Sequence, residues 1–447
     1  MPKLFSIPRI QQIPRSGKSA ALAALTCLGL SQSLQAESAC LGAPPLAAPT
    51  GTVVNVSSAQ ELNSAINNLS DNTTILLEPG DYSLVSTLYI RRSNITLRGN
   101  SDSCDAVVLR GKGMENRSYG DVPHGIWSDA TNLKIQNLSI QEVYFHPIIL
   151  NPGAQSPEMY NLKLLNAGEQ FIKSNAAVWG NGVNNGKVEY VIMEYTDGPP
   201  LTDHGGGGTG YTNGVDVHAG DNWIIRNNLF KDFHVPDFAQ NRYNPAILMW
   251  RGANNTMIDN NVFINVDRGI ALGLENDGNG GSHSGGWVRN NMIYLEPGLM
   301  SASRRLEMDG AIIIWDSANT AVEHNTCITN GNVNNCIEFR WDTQGSTARN
   351  NLIDTQIGSR GGAPFTASNN IFVQNTNIFE NPGAADLHIK ASAATGAYEV
   401  PRLANVLTDF DGDARQSTTL AGADVPGDDT PVSPPQAPSS VSATILD

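Results

Sequence analysis

The sequence predicts an all-β chain, a single-stranded right-handed parallel β-helix (solenoid) with a short N-terminal capping helix. Three observations lead there. A pattern recurs along the second half: IIRNNLF at 224–230, MIDNNVF at 257–263, WVRNNMI at 287–293, AVEHNTC at 321–327, TARNNLI at 347–353 and SNNIF at 368–372. Its marker residues Asn228, Asn261, Asn291, Asn325, Asn351 and Asn370 lie 33, 30, 34, 26 and 19 residues apart. So variable a period suits coils of fixed cross-section joined by loops of differing length. Apart from one helix, the rest reads as short β segments bounded by Gly, Asn and Asp.

In chain order, residues 1–36 read as an export signal. Lys3, Arg9, Arg15 and Lys18 precede the apolar stretch from Ala20 to Leu30, and Leu34-Gln35-Ala36 offers a small-residue cleavage site. A secreted or periplasmic location follows as an expectation, with no integral membrane segment after signal removal. Residues 37–52 form an N-terminal segment. Ser58 with Glu61 three residues on is a capping box, and Leu62, Ala65, Ile66 and Leu69 share one helical face. The β-helix domain is expected over 53–423, its right hand following from the preference of parallel crossovers. Within it the six asparagines should stack as an amide ladder. Arg226, Asp259, Arg289, Glu323 and Arg349, two residues earlier in each coil and alternating in sign, should form ion pairs along the stack. Asp409, Asp411 and Asp413 read as solvated acids, and residues 424–447 as a Pro/Ser-rich linker or tail.

Composition narrows the function. Of 447 residues 43 are acidic and 28 basic, a net charge of −15, with no basic run after residue 18, which excludes a generic nucleic-acid binder. A monomer is expected. Beyond the leader the cysteines are Cys40, Cys104, Cys327 and Cys336; of three connectivities, Cys327–Cys336 is the most local pair.

Candidate chemistry gathers where the loops are longest, at 197–213, 233–244, 275–285 and 296–309. These insertions are expected to precede one strand of each coil: residues 214–222, 245–255, 268–276, 310–319 and 335–344. Alternation puts Val215 and Val217 inside and Asp216 and His218 outside. Counting back ten residues from the marker asparagines places Arg251 beside His218, with Met249 on the face of Asp216. The next strand, with Ile270, Leu272 and Leu274 inside, would present Ala271, Gly273 and Glu275; Glu338 and Arg340 point outward farther on. An Asp, a His and an Arg on one sheet suit proton abstraction beside a uronate carboxylate. His218 would be the base, Arg251 the partner of the developing enolate, and Asp216 would orient the imidazole. Tyr211, Tyr243, His204, His234 and His283 are candidates for a second proton carrier. Glu275, Arg268, Tyr243, His204, Arg340 and Trp315 are expected to contact substrate. For Trp127, Trp179, Trp250, Trp315 and Trp341, core packing or edge coverage is the first reading, with sugar stacking attractive for Trp315 and Trp341.

Two resemblances bear on this. VVNVSSAQELNSAINNLSDNTTILLEPGDYSL at 53–84 and ITLRGN at 95–100 resemble the cap and first coils of the pectate-lyase-like right-handed β-helix superfamily. NGVDVHAGDNWIIRNN, followed one coil later by AILMWRG, resembles the Asp-Pro-His region of periplasmic mannuronan C5-epimerases and its later Arg. Asp216, His218 and Arg251 fall on those positions, while Val217 replaces the Pro and Ala219 a following Asp. The expected function is an exported polysaccharide lyase acting by β-elimination on an acidic, uronate-containing polysaccharide. The alternatives are a mannuronan-type C5-epimerase, a glycoside hydrolase pairing Glu275 with Asp216 or Asp316, and a non-catalytic glycan-binding or adhesive β-helix. A Ca²⁺ cofactor would draw first on Glu275, Asp277 and Asp267.

Overall fold

A computed structural model of the chain describes residues 38–427 apart from 205–206, 276–277 and 374. The predicted export signal, Asp277 and residues 428–447 of the tail lie outside the described residues. The fold is a right-handed parallel β-helix. Its coils contribute to a 21-stranded and a 10-stranded sheet, and the two antiparallel pairs seen, Phe379–Asn381 with Asp386–Ile389 and Glu399–Pro401 with Thr418–Leu420, both belong to the C-terminal closing segment.

Alternation supplies the core. In the ten-stranded sheet Val217, Met249, Leu272, Ile314 and Phe339 occupy one inward column in register, all fully buried. Ile225, Ile258, Val288, Val322 and Ala348 form the matching column opposite. Each such aliphatic side chain stabilises the stack by about 2 kcal/mol through its burial.

The asparagine ladder is complete. The side-chain amide of each of Asn228, Asn261, Asn291, Asn325 and Asn351 donates to the side-chain carbonyl of the next marker at 2.8–2.9 Å, ending on Asn370. That carbonyl also accepts the preceding backbone N–H. The residue before each marker takes a left-handed conformation (Asn227, Asn260, Asn290, His324, Asn350, Asn369), which asparagine tolerates better than most residues. Outside the turn, Arg226 pairs with Glu189, Arg289 with Asp259 and Arg349 with Glu323, as the alternating signs require.

The helix Ala59–Asn67 starts at Ser58, whose hydroxyl accepts from Glu61 N at 3.2 Å, and buries Leu62 and Ile66. One disulfide is formed. Cys40 joins Cys104, pinning the N-terminal segment to the first coils, whereas the local pair Cys327 and Cys336 are neighbouring free thiols buried in the core. The closing segment is more ordered than expected. Buried Arg415 donates to the carbonyls of Leu420, Gly422 and Ala423 and to the side chain of Asn290, locking the segment onto the coils. Asp409 is buried, not solvated, and accepts the backbone N–H groups of Asp411, Asp413 and Val425. Buried Asp424 accepts Ile389 N at 2.6 Å, so packing continues past residue 423. Among the described residues no helix is long and apolar enough to cross a membrane.

Candidate active site

The outer face of the ten-stranded sheet carries the chemistry. Val215 and Val217 point into the core and Asp216 and His218 away from it. One coil earlier, Lys173 stands in register with Asp216; one coil later, Trp250 stands in register with His218. The four side chains interlock. The Lys173 ammonium contacts one oxygen of Asp216 and donates to His218 Nε2 at 2.9 Å, while Trp250 Nε1 donates to the other oxygen of Asp216 at 3.0 Å. The Trp250 ring meets the imidazole edge-on at 4.8 Å.

Asp216 is essentially inaccessible, so its charge depends on these donors. At 3.7 Å it does not hydrogen-bond His218 directly. It positions Lys173 and Trp250, and those position the imidazole. The His218 side chain retains 17% exposure. Burial pushes its pKa down to about 4; Asp216 opposes this, and the cations Lys173 and Arg251 reinforce it. The ring is therefore neutral at ordinary pH, with an unprotonated Nε2 facing the ammonium.

Arg251 reaches the same site by another route than counting implied. The strand register sets His218 against Trp250, an offset of 32 residues, while the following turn aligns Asp221 with Asn254, an offset of 33. The extra residue is absorbed at a corner where Arg251 (φ 63°) and Gly252 (φ 87°) are both left-handed. Met249 consequently points into the core, and Leu248 and Trp250 take the outward positions. The Arg251 guanidinium lies 5.6 Å from the Trp250 ring and 5.9 Å from Trp179, and its buried Nε has no hydrogen-bond partner among the described residues.

Beyond Trp250 the outer face is apolar as far as Ile313 and Trp315. Leu248, Ala271 and Ile313 form a buried strip against Trp250, Leu274 and Trp315. Leu274 belongs here, not to the core as expected, because the strand stops at Leu272 and Gly273 turns the chain. A Cβ on Gly273 would lie 1.7 Å from the Trp315 carbonyl oxygen. Trp315 packs on exposed Trp341 at 5.0 Å.

The other predicted contacts fall elsewhere. Arg268 and Arg340 both bind Asp309, and Arg340 with Arg360 binds Glu338. Burial alone would raise the Asp309 carboxyl, but the two arginines hold it down at about 2. This ion network runs from the second strand beyond that of Asp216, which carries Arg268, to the fifth, which carries Arg360. Tyr243 bonds Glu307 and stacks near Arg304, inside a staple that ties the 233–244 and 296–309 loops together. Residues 302–307 of the latter form a short helix, Ala302–Glu307, where a loop was expected. The same staple takes up His234, whose Nδ1 lies 2.5 Å from Asp267, and Arg304, which binds that carboxylate at 2.7 Å. Both ring nitrogens of His204 face backbone carbonyls of Thr202 and Met114. His283 is buried between Thr256 and Ser317. Of the five proton-carrier candidates Tyr211 is the one whose hydroxyl feels the charge of Asp216. Burial, Asp216 and Glu169 raise its hydroxyl to about 12, against a hydrogen bond from Gln170 that lowers it.

Glu275 is exposed in the 275–285 loop, which follows its strand where the other three insertions precede theirs. With Asp267 committed to Arg304 and His234, Glu275 and Asp267 do not converge on a cation. Among the described residues the one His/Asp grouping with ligand-like spacing is His388, Asp411 and Asp424, in the closing segment.

Lys173 and Trp250 were not anticipated. Their signal lay in the alternation: PIILN at 147–151, FIKSN at 171–175 and GVDVH at 214–218 are three successive copies of one strand. The 197–213 insertion hides the third.

No protein-family profile and no characterised protein matches the sequence. Solved structures that resemble the chain include an alginate lyase from Paenibacillus sp. (13% identity, 72% of this chain and 99% of that one, TM-score 0.41). A PL6 family polysaccharide lyase from Pseudopedobacter saltans follows the chain over 84% of its length and 92% of its own (14% identity, TM-score 0.46). The A-module of an Azotobacter vinelandii mannuronan C-5 epimerase does so over 71% and 95% (13% identity, TM-score 0.35). Likeness at this level carries no argument about chemistry, which rests on the site itself.

Proposed function

We propose that this chain is an exported carbohydrate-active enzyme that cleaves an acidic, uronate-containing polysaccharide by β-elimination. One observation carries the reading: a neutral, partly exposed imidazole held by a Lys–Asp pair, with an arginine beside it that has no carboxylate partner among the described residues. A uronate carboxylate entering beside Arg251 and Lys173 draws the ammonium toward itself, which frees His218 Nε2 to accept the adjacent C5 proton. The electron pair left on C5 is stabilised as an enolate against the two cations. It then forms the C4=C5 double bond as the C4–O bond breaks, and Tyr211 supplies the proton that the departing oxygen needs. C5-epimerisation is the second reading, because it shares the first step and Tyr211 would return a proton to C5 from the opposite face. Hydrolysis lacks support: Asp216 is committed to Lys173 and Trp250, and Glu275 lies in an exposed loop.

The test is incubation with alginate, pectate and glycosaminoglycans, following ultraviolet absorbance of unsaturated ends, reducing ends and uronate stereochemistry. Unsaturated product is expected. Altered stereochemistry without cleavage would move the assignment to an epimerase, and reducing ends without unsaturation would refute proton abstraction altogether.

A further inference from the structure

The outer column that holds Lys173 and Asp216 continues toward the N-terminus through Ile149 and Trp127 to Tyr89. Trp127 lies three strands before the His218 strand, and Trp315 three strands after it. At the spacing of neighbouring strands each is about 14 Å away. Tyr89 is exposed, and its ring and that of Trp127 lie 5.7 Å apart. Exposed Arg91, which follows the strand Leu88–Ile90, sits over both rings, 4.8 Å from Trp127 and 5.6 Å from Tyr89. Among the described residues its guanidinium has no carboxylate within ion-pair distance, whereas most arginines of the solenoid are paired.

We infer that Tyr89, Trp127 and Arg91 form a remote subsite that binds a uronate residue of the same polysaccharide chain whose reacting unit lies at His218. The inference rests on the functional reading above and adds where the polymer runs. Aromatic faces cover the apolar C–H side of a pyranose ring, and a fixed guanidinium pairs with the carboxylate that a neutral sugar lacks. Arg91 resting on the rings is already positioned for that contact. Subsite and site share one outward column, Trp127–Ile149–Lys173–Asp216, which sets the direction of the polymer along the helix axis.

The test measures binding by calorimetry in a His218→Ala background, with short (di- and trisaccharide) and long oligouronates and a neutral oligoglucan of matched length. Without further changes the long oligouronate should bind tighter than the short ones. Trp127→Ala should erase about fivefold of that gain, and Arg91→Ala a similar amount, with the short ligands unaffected by either. Arg91→Ala alters only an exposed side chain and so remains informative if Trp127→Ala folds poorly. Equal loss for short and long ligands, no loss in either variant, or equally tight binding of the neutral chain would overturn the subsite. Failure of the functional reading shows separately: length-dependent binding that both variants abolish, with no turnover of any uronate polymer by the unmutated chain, upholds the subsite and refutes the lyase.

Discussion

The asparagine-marked turn and the outer face of the ten-stranded sheet are built from the same coils under opposite rules. Along the turn six successive coils repeat asparagine at one position, each amide bonds the next, and the flanking charges cancel in pairs. Along the outer face the residue changes from each coil to the next. Lys173, Asp216, Leu248, Ala271, Ile313 and Glu338 follow one another in a single column. Repetition serves stability, because each coil supplies what its neighbour lacks. Where repetition stops, side chains are selected by something other than the stack, and there the neutral imidazole and Arg251 are found.

If this division is right, substitutions on the two faces should exchange their effects. His218→Ala should lower kcat on the preferred polymer by two to four orders of magnitude, roughly the contribution of a positioned proton acceptor, with little change in thermal midpoint. Asn291→Ala should do the reverse: it strands buried donors and acceptors in two coils and should cost about 3 kcal/mol in denaturant unfolding, while KM of the folded fraction stays put. A variant at Asn291 that folded stably yet lost turnover would break the comparison.

A smaller effect is expected at the apolar strip, where Trp315→Ala should raise KM by about fivefold through loss of a stacking surface. The smallest is in the closing segment. His388 is raised to about 10, chiefly by its hydrogen bond with Asp411 and in spite of burial, with Asp386 adding to the rise. A histidine raised on folding stabilises fully below its unfolded value near 6.5, and that contribution is lost as pH climbs through about 10. Asp424, raised to about 7 by burial, loses stability in the same direction at lower pH. The thermal midpoint should therefore fall between about pH 6.5 and about pH 10, and less so in His388→Gln. An identical slope in that variant would exclude His388 as the cause.

The turn was legible in the sequence because a ladder residue bonds its own counterpart one coil away, so chemistry and spacing repeat together. Asp216 and His218 were legible through alternation within one strand. Arg251 was placed one position off because the corner at Gly252 absorbs a residue without disturbing either sheet, which counting from a distant marker cannot detect. Lys173 went unseen because 43 residues separate it from the side chain that it binds. The loop candidates Tyr243, His204 and His234 were plausible by residue type, but insertions need internal ties of their own, and those side chains provide them.

The central claim is that a neutral His218, kept neutral by burial and by Lys173, takes the C5 proton. It is tested most directly by the pH dependence of kcat/KM for release of unsaturated product, with the unmutated chain beside Lys173→Met. The account predicts an acid limb near about 4 that moves upward when the neighbouring cation is removed. A limb at the ordinary imidazole value of 6.5 that Lys173→Met leaves in place would contradict it.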